Sequence, residues 1–231
     1  MIRLYQFEIS PFCDKIRRVL HVKRQRYEIV EVPISRSLSS VRRVNPIGKL
    51  PTLEHDGRIV ADSSDIARYL EEVFPEPSLL PSDSRERALV HVLEDWADES
   101  LYFYEMTLRF TLPHNARRSV PALLAHDPAW LARALGPWIP RLMRRTVRGQ
   151  GVGRKPGEQL LCDVERHVGA VSGLLGEGRW LVGDRLSLAD ISVHAQLRCI
   201  GETDEGGKLI EARPRVRAWL DRVEAATAPS V

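Results

Sequence analysis

Cysteine is scarce in this chain: Cys13, Cys162 and Cys199 are the only three in 231 residues. An odd number at such wide spacing gives no disulfide framework and no paired metal-ligand spacing, so a reducing cytoplasm is the expected compartment. The seven histidines form no HExxH motif and no His/Cys cluster, and no metal is expected. No apolar run approaches the roughly 18 residues of a membrane span. The first residues read as a strand rather than as a basic-then-apolar leader. Net charge is small as well: 34 Lys and Arg against 31 Asp and Glu leave +3, too little to argue for nucleic-acid binding. What remains, 43% hydrophobic and 28% charged, is the composition of an ordinary soluble globular protein large enough for two modest domains.

The first 75 residues alternate strand and helix signals. "IRLYQF" (2–7) and "YEIVEVP" (27–33) read as strands, while "CDKIRRVLHVK" (13–23) places Ile16, Val19 and Leu20 at helical spacing. A short helix is expected over 37–44. "TLEH" and "RIVA" flank Asp56-Gly57, a dipeptide that accepts the positive φ of a two-residue hairpin turn. "DSSDIARYLEEVF" (62–74) carries Ile66, Tyr69, Leu70 and Val73 on one helical face. This order describes a compact α/β domain over 1–75. Prolines then mark a linker at 76–83.

Strand signals disappear after the linker, and an all-α domain is expected over 84–231. Residues 84–110 form a long helical pattern with Leu89, Val92, Leu93 and Trp96 as its buried stripe. Six prolines restrict 111–157 to short helices, and 158–175 and 215–227 are helical again. Ser187 followed by Asp190 is a capping-box variant, and Leu186 with Ile191 suits a hydrophobic staple, so a helix starts sharply there.

"SPFC", Ser10 to Cys13, stands where the first strand hands over to the first helix. If that helix starts at Pro11, Ser10 is its N-cap and Cys13 lies one turn in. Ser10 is then either a cap bonding the Cys13 amide or a hydroxyl donor to a bound sulfur. Cys13 is either a small packing residue or a reactive thiol.

Taken together, "SPFCDKIRR", "NPIGKLPTL", "ADSSDIARYL" and "LVGDRLSLADI" resemble the active-site turn, cis-proline loop, γ-glutamyl turn and C-domain capping motif of the glutathione transferase superfamily. Residues 149–184 more narrowly resemble its metaxin-like branch, related to the fly protein called failed axon connections. The resemblance implies a thioredoxin-like N-terminal domain that binds glutathione and an all-helical C-terminal domain that supplies most of an electrophile pocket. It further implies a cytoplasmic homodimeric transferase of the detoxification type, joining glutathione to a small electrophile. By position, Ser10 would donate to the glutathione sulfur. Phe12, Lys49, Leu50, Pro51, Asp62 and Ser63 would contact the tripeptide. Pro51, as the cis-proline, would expose the Leu50 backbone to the cysteinyl unit, Lys49 would approach the glycyl carboxylate, and Asp62 with Ser63 would take the γ-glutamyl end. Arg17 or Arg18 would line the anionic ligand or face solvent. Tyr102, Phe103 and Phe110 would contribute to the electrophile pocket, while most of the aromatic set they share with Tyr104, Trp130 and Trp138 would be core.

Lowering a thiol's pKa from about 8.5 to near 7 takes about 2 kcal/mol. A helix N-terminus supplies about 0.3–1 kcal/mol and a hydrogen bond to a charged group about 1.5–3 kcal/mol, so a serine at a helix start is enough without a metal. Two alternatives stand beside this reading. Cys13 matches the second cysteine of glutaredoxin-like relatives, which leaves a glutathione-dependent reductase or lyase; the other is a non-catalytic metaxin-like scaffold. Separately, residues 133–155 hold seven basic side chains and no acidic one. That arm reads as a solvated face, or as a site for an anionic substrate or an acidic membrane surface.

Overall fold

The computed structural model describes residues 1–36, 41–45 and 47–228. The chain divides into two compact units: Met1–Leu79 with Pro121–Gly136 and the residues from Thr227, and Leu80–Val120 with Pro137–Ala226.

The first unit runs β1 (Ile2–Gln6), α1 (Pro11–Val22), β2 (Tyr27–Glu31), the short turns α2 (Ile34–Arg36) and α3 (Arg42–Val44), β3 (Thr52–His55), β4 (Arg58–Ala61) and α4 (Ser63–Val73). The strand order is β2-β1-β3-β4, with β1 parallel to β2 and antiparallel to β3. A parallel pair needs a crossover, and α1 supplies it. Leu4 and Leu53 of the sheet, Ile16, Val19 and Leu20 of α1, and Ile66, Tyr69 and Leu70 of α4 form the core. Val73, expected on the same face of α4, is exposed. Asp56 and Gly57 have φ of 49° and 85°, as the hairpin between β3 and β4 requires. Of the helix expected over 37–44, α3 covers the end, while 37–40 lie outside the described residues, as does Pro46 of the "NPIGKLPTL" segment. This mixed four-stranded sheet with its helices is thioredoxin-like.

Pro121–Gly136, which contains α8 (Ala129–Leu135), folds with the sheet, whereas the sequence division places it in the helical domain. The physical tie is Asp127: its two carboxylate oxygens accept from Ile34 N and Ser35 N at 3.0 and 2.9 Å. His126 Nε2 lies 3.2 Å from Glu8 Oε2.

The second unit is all helical: α5 (Ser84–Trp96), a π-helical turn (Ala97–Leu101), α6 (Tyr102–Thr111), most of α7 (Pro113–Leu123), α9 (Ile139–Gln150), α10 (Gly157–Leu175), α11 (Leu188–Gly201), α12 (Asp204–Glu211) and α13 (Pro214–Thr227). The long pattern over 84–110 is thus interrupted. Its buried face is Val90, Leu93 and Ala97, turned towards α11, while Leu89 and Val92 of the expected stripe are exposed. Ser187 and Asp190 form the capping box of α11, with Asp190 also accepting from Leu181 N and Trp219 Nε1 at 2.9 Å each.

Candidate active site

Strand register brings the site together. Tyr5 pairs with Thr52, and Thr52 with Ala61, so these residues form one row across β1, β3 and β4. Three segments leave the sheet at that row. β1 exits through Phe7 to Ser10, β3 is entered from Leu50 and Pro51, and β4 exits into Asp62 and Ser63. Three candidate segments far apart in the chain therefore share one edge of the sheet.

Ser10 is half-buried at the N-cap of α1, with Pro11 at the first helical position. Its Oγ accepts from the Cys13 amide at 3.4 Å, a long contact that leaves the hydroxyl proton for another acceptor. Phe12, the next residue on the turn, is half-buried. Cys13 is fully buried, and its Sγ accepts from Phe7 N at 3.5 Å. Burial pushes its thiol up to about 11, against the opposing contacts from Ser10 and Phe7. At pH 7 only about one Cys13 side chain in ten thousand is then the thiolate that reacts.

The Leu50–Pro51 bond is cis, as the resemblance implies. The loop before it is built by a residue that sequence reasoning passed over. Asn45, itself buried, donates from Nδ2 to Lys49 O and Thr52 Oγ1 at 3.0 and 3.1 Å, and its Oδ1 accepts from Ile47 N at 2.8 Å. Its signal was the Asn-Pro dipeptide, a turn initiator. Gly48 holds φ at 71°, where a side chain would be strained. Leu50 is half-buried and Lys49 is exposed.

Asp62 is the N-cap of α4 at φ 77°, its carboxylate accepting from Ser64 N at 3.0 Å. Ser63, buried at the first helical position, receives a hydrogen bond from Lys15 Nζ at 3.4 Å. Lys15 is itself buried on α1. A cation and a helix N-terminus thus coincide at Ser63, the place where an anionic group is best accommodated. Sequence reasoning missed Lys15, because one lysine on a basic helix carries no mark of burial.

Neither Arg17 nor Arg18 faces open solvent. Asp14, buried beside them, accepts from Arg17 Nη2 at 3.2 Å and from Arg18 Nε at 2.8 Å. Arg17 also donates to Gln6 Oε1, and Arg18, buried, to Thr227 Oγ1. Both arginines are thus anchored to the framework, Arg18 buried and Arg17 partly so.

The aromatic candidates lie on α6 of the second unit. Tyr102 and Phe103 are half-buried with ring centres 5.2 Å apart, and Phe110 is buried under the Arg109 guanidinium. Burial holds the Tyr102 hydroxyl well above its ordinary pKa, so it stays protonated. Trp130 and Trp138 are exposed at 68% and 64%, outside the core expected to hold most of these rings. Among the described residues no group of three His, Cys, Asp or Glu side chains could hold a metal ion.

Comparison with known proteins places the chain in a family. Residues 4–78 match the glutathione S-transferase N-terminal domain family and residues 155–226 its C-terminal domain family. The chain belongs to the glutathione transferase superfamily. Maleylacetoacetate isomerase of Pseudomonas aeruginosa is 28% identical over 97% of this chain and 92% of its own length. A glutathione S-transferase from Rhodospirillum rubrum superposes with a TM-score of 0.71 at 29% identity, covering 99% of this chain and 91% of that one. The β-etherase LigF from Sphingobium gives 0.71 at 26% identity, covering 97% and 95%.

Proposed function

We propose that the protein is a glutathione-dependent enzyme in which Ser10 stabilises the glutathione thiolate for attack on a small electrophilic co-substrate. Glutathione is the co-substrate that superfamily membership brings. The shared row of Tyr5, Thr52 and Ala61 is the observation that carries the reading. Three strands at about 4.8 Å spacing span about 10 Å, close to the reach of an extended tripeptide at roughly 3.4 Å per residue. A tripeptide laid along that edge meets the Ser10 hydroxyl, the Leu50 backbone beside Pro51, and the start of α4 in turn.

In this arrangement the γ-glutamyl carboxylate sits at Asp62 and Ser63. Lys15, donating to Ser63 Oγ, adds positive potential there and orients the serine's own proton outward. The cysteinyl amide pairs with the Leu50 backbone, with Phe12 alongside, and Lys49 meets the glycyl carboxylate. The thiolate then lies at the N-terminus of α1, where Ser10 donates to sulfur and the helix end favours negative charge. Sulfur then adds to the electrophile, or displaces a leaving group that departs with the bonding electron pair. Maleylacetoacetate isomerase and β-etherase among the relatives favour a co-substrate open to thiol addition or displacement. The burial and raised pKa of Cys13 count against a redox role for it.

A homodimer suits the exposed apolar side chains, which include Leu89 and Val92 on α5, Ile59 on β4 and Val73 at the end of α4. The unpaired Cys13, Cys162 and Cys199 fit a reducing cytoplasm.

Calorimetric titration of glutathione into wild type and Ser10→Ala across pH 6–9 tests the proposal. Wild type should bind and release a proton near neutral pH, while the variant binds without release. Absence of binding in wild type would return the chain to the scaffold reading, and equal proton release by the two proteins would remove Ser10 from the chemistry.

A further inference from the structure

We propose that the solvent face of α9 docks on an anionic lipid bilayer, independently of the glutathione site. The helix is amphipathic in an unusual sense. Ile139 and Val147 are buried on the side packed against α6. On the opposite side, Trp138, Arg141, Leu142, Arg145 and Arg148 follow one another at the three- and four-residue spacing of a single helical face. Trp138 is 64% exposed and Leu142 57% exposed, with the three arginines exposed around them. Arg141 lies over the Trp138 ring at 5.2 Å.

The charge on this face is concentrated and of one sign. Several exposed arginines elsewhere sit on carboxylates, among them Arg68 on Asp65, Arg118 on Asp204, Arg215 on Glu177 and Arg217 on Asp221. The α9 arginines take no carboxylate among the described residues. Arg141 and Arg144 reach only the backbone carbonyls of Pro137 and Thr111, and the run 133–155 contains no acidic residue at all. Like charges one turn apart repel, so an external anionic surface relieves a strain that the protein itself leaves in place.

The apolar residues choose among anionic partners. A phosphate backbone or an acidic peptide needs the cations alone, whereas an exposed indole and leucine between arginines match the headgroup boundary of a bilayer, where Trp settles and Leu inserts. Each arginine brought to an anionic surface strengthens binding about fivefold, so Arg141, Arg145 and Arg148 together give roughly a hundredfold, reversible association.

Flotation of the whole protein with phosphatidylcholine vesicles containing about 30% phosphatidylserine tests this, with pure phosphatidylcholine vesicles as control. Wild type should float with the anionic vesicles only, and less so as salt is raised. Its tryptophan emission should shift to the blue, and that shift should vanish in Trp138→Phe. Arg145→Gln with Arg148→Gln should weaken flotation about 25-fold, with circular dichroism unchanged to show that the variant is folded. Three results would overturn the proposal: no flotation of wild type, equal flotation of the double variant, or retention by DNA or polyglutamate without vesicle binding.

Discussion

Ser10 and Cys13 sit on one turn of α1, yet their surroundings give them opposite chemistry. The hydroxyl is half-exposed at the helix start, whereas the thiol is sealed beneath it and held protonated. This predicts a labelling order. With a neutral alkylating reagent near pH 7, exposed Cys162 should react while buried Cys13 and Cys199 stay protected until denaturant is added. Peptide mass spectrometry reads this directly, and rapid labelling of native Cys13 would reopen the thiol chemistry. Both positions were legible in the sequence as a pair, because a serine and a proline before a helical period mark its start. Resemblance to the superfamily ranked Ser10 ahead of Cys13, but the full burial of the thiol depends on residues elsewhere in the chain. Lys15 and Asn45 illustrate the same limit from the other side: neither residue type announces that it will be buried.

At the scale of elements, the local rules worked wherever the cause was local. The hairpin at Asp56-Gly57 and the capping box at Ser187 and Asp190 stand as the sequence predicts, each stabilised within a few residues of its signal. α12 escaped notice because Gly206 and Gly207 weaken its helical signal. A Cβ at Gly206 would fall 2.1 Å from Ile200 O, so its glycine reflects the close approach to α11. α10 carries a further consequence. Buried Asp163 pairs with Lys155 and Arg166 and lies 3.3 Å from the Tyr104 hydroxyl. The hydrogen bond from Lys155 holds its carboxyl below the ordinary value of 3.8. A carboxylate lowered in the folded state stabilises it at neutral pH, and that stability fades as pH falls below about 4, where the unfolded chain takes up the proton first. Urea midpoints at pH 7 and pH 3 should therefore differ less in Asp163→Asn than in wild type. An unchanged difference would show that the pair does not contribute.

For the whole molecule, the exposed Val92 and Leu89 on α5 are the sharpest departure from the sequence expectation, since a helical stripe of that kind reads as core. Sedimentation velocity should give twice the 26.2 kDa chain mass for wild type, and Val92→Glu should shift the equilibrium towards the monomer by at least about tenfold. A monomeric wild type would remove the proposed dimer as the reason for their exposure.

Resemblance to the superfamily supplied the candidate site segments, while the sequence by itself determined the α/β-then-helical order, the hairpin and the sharp start of α11. Those features depend on backbone chemistry and on periodicity within about a dozen residues. Tertiary structure alone decided which thiol is sealed, that Arg17 and Arg18 bind Asp14 rather than face solvent, that Asp127 ties Pro121–Gly136 to α2, and which face of α5 is covered. Each of these depends on what lies across a packed interface, and burial is a property of the neighbours a residue meets rather than of the residue itself.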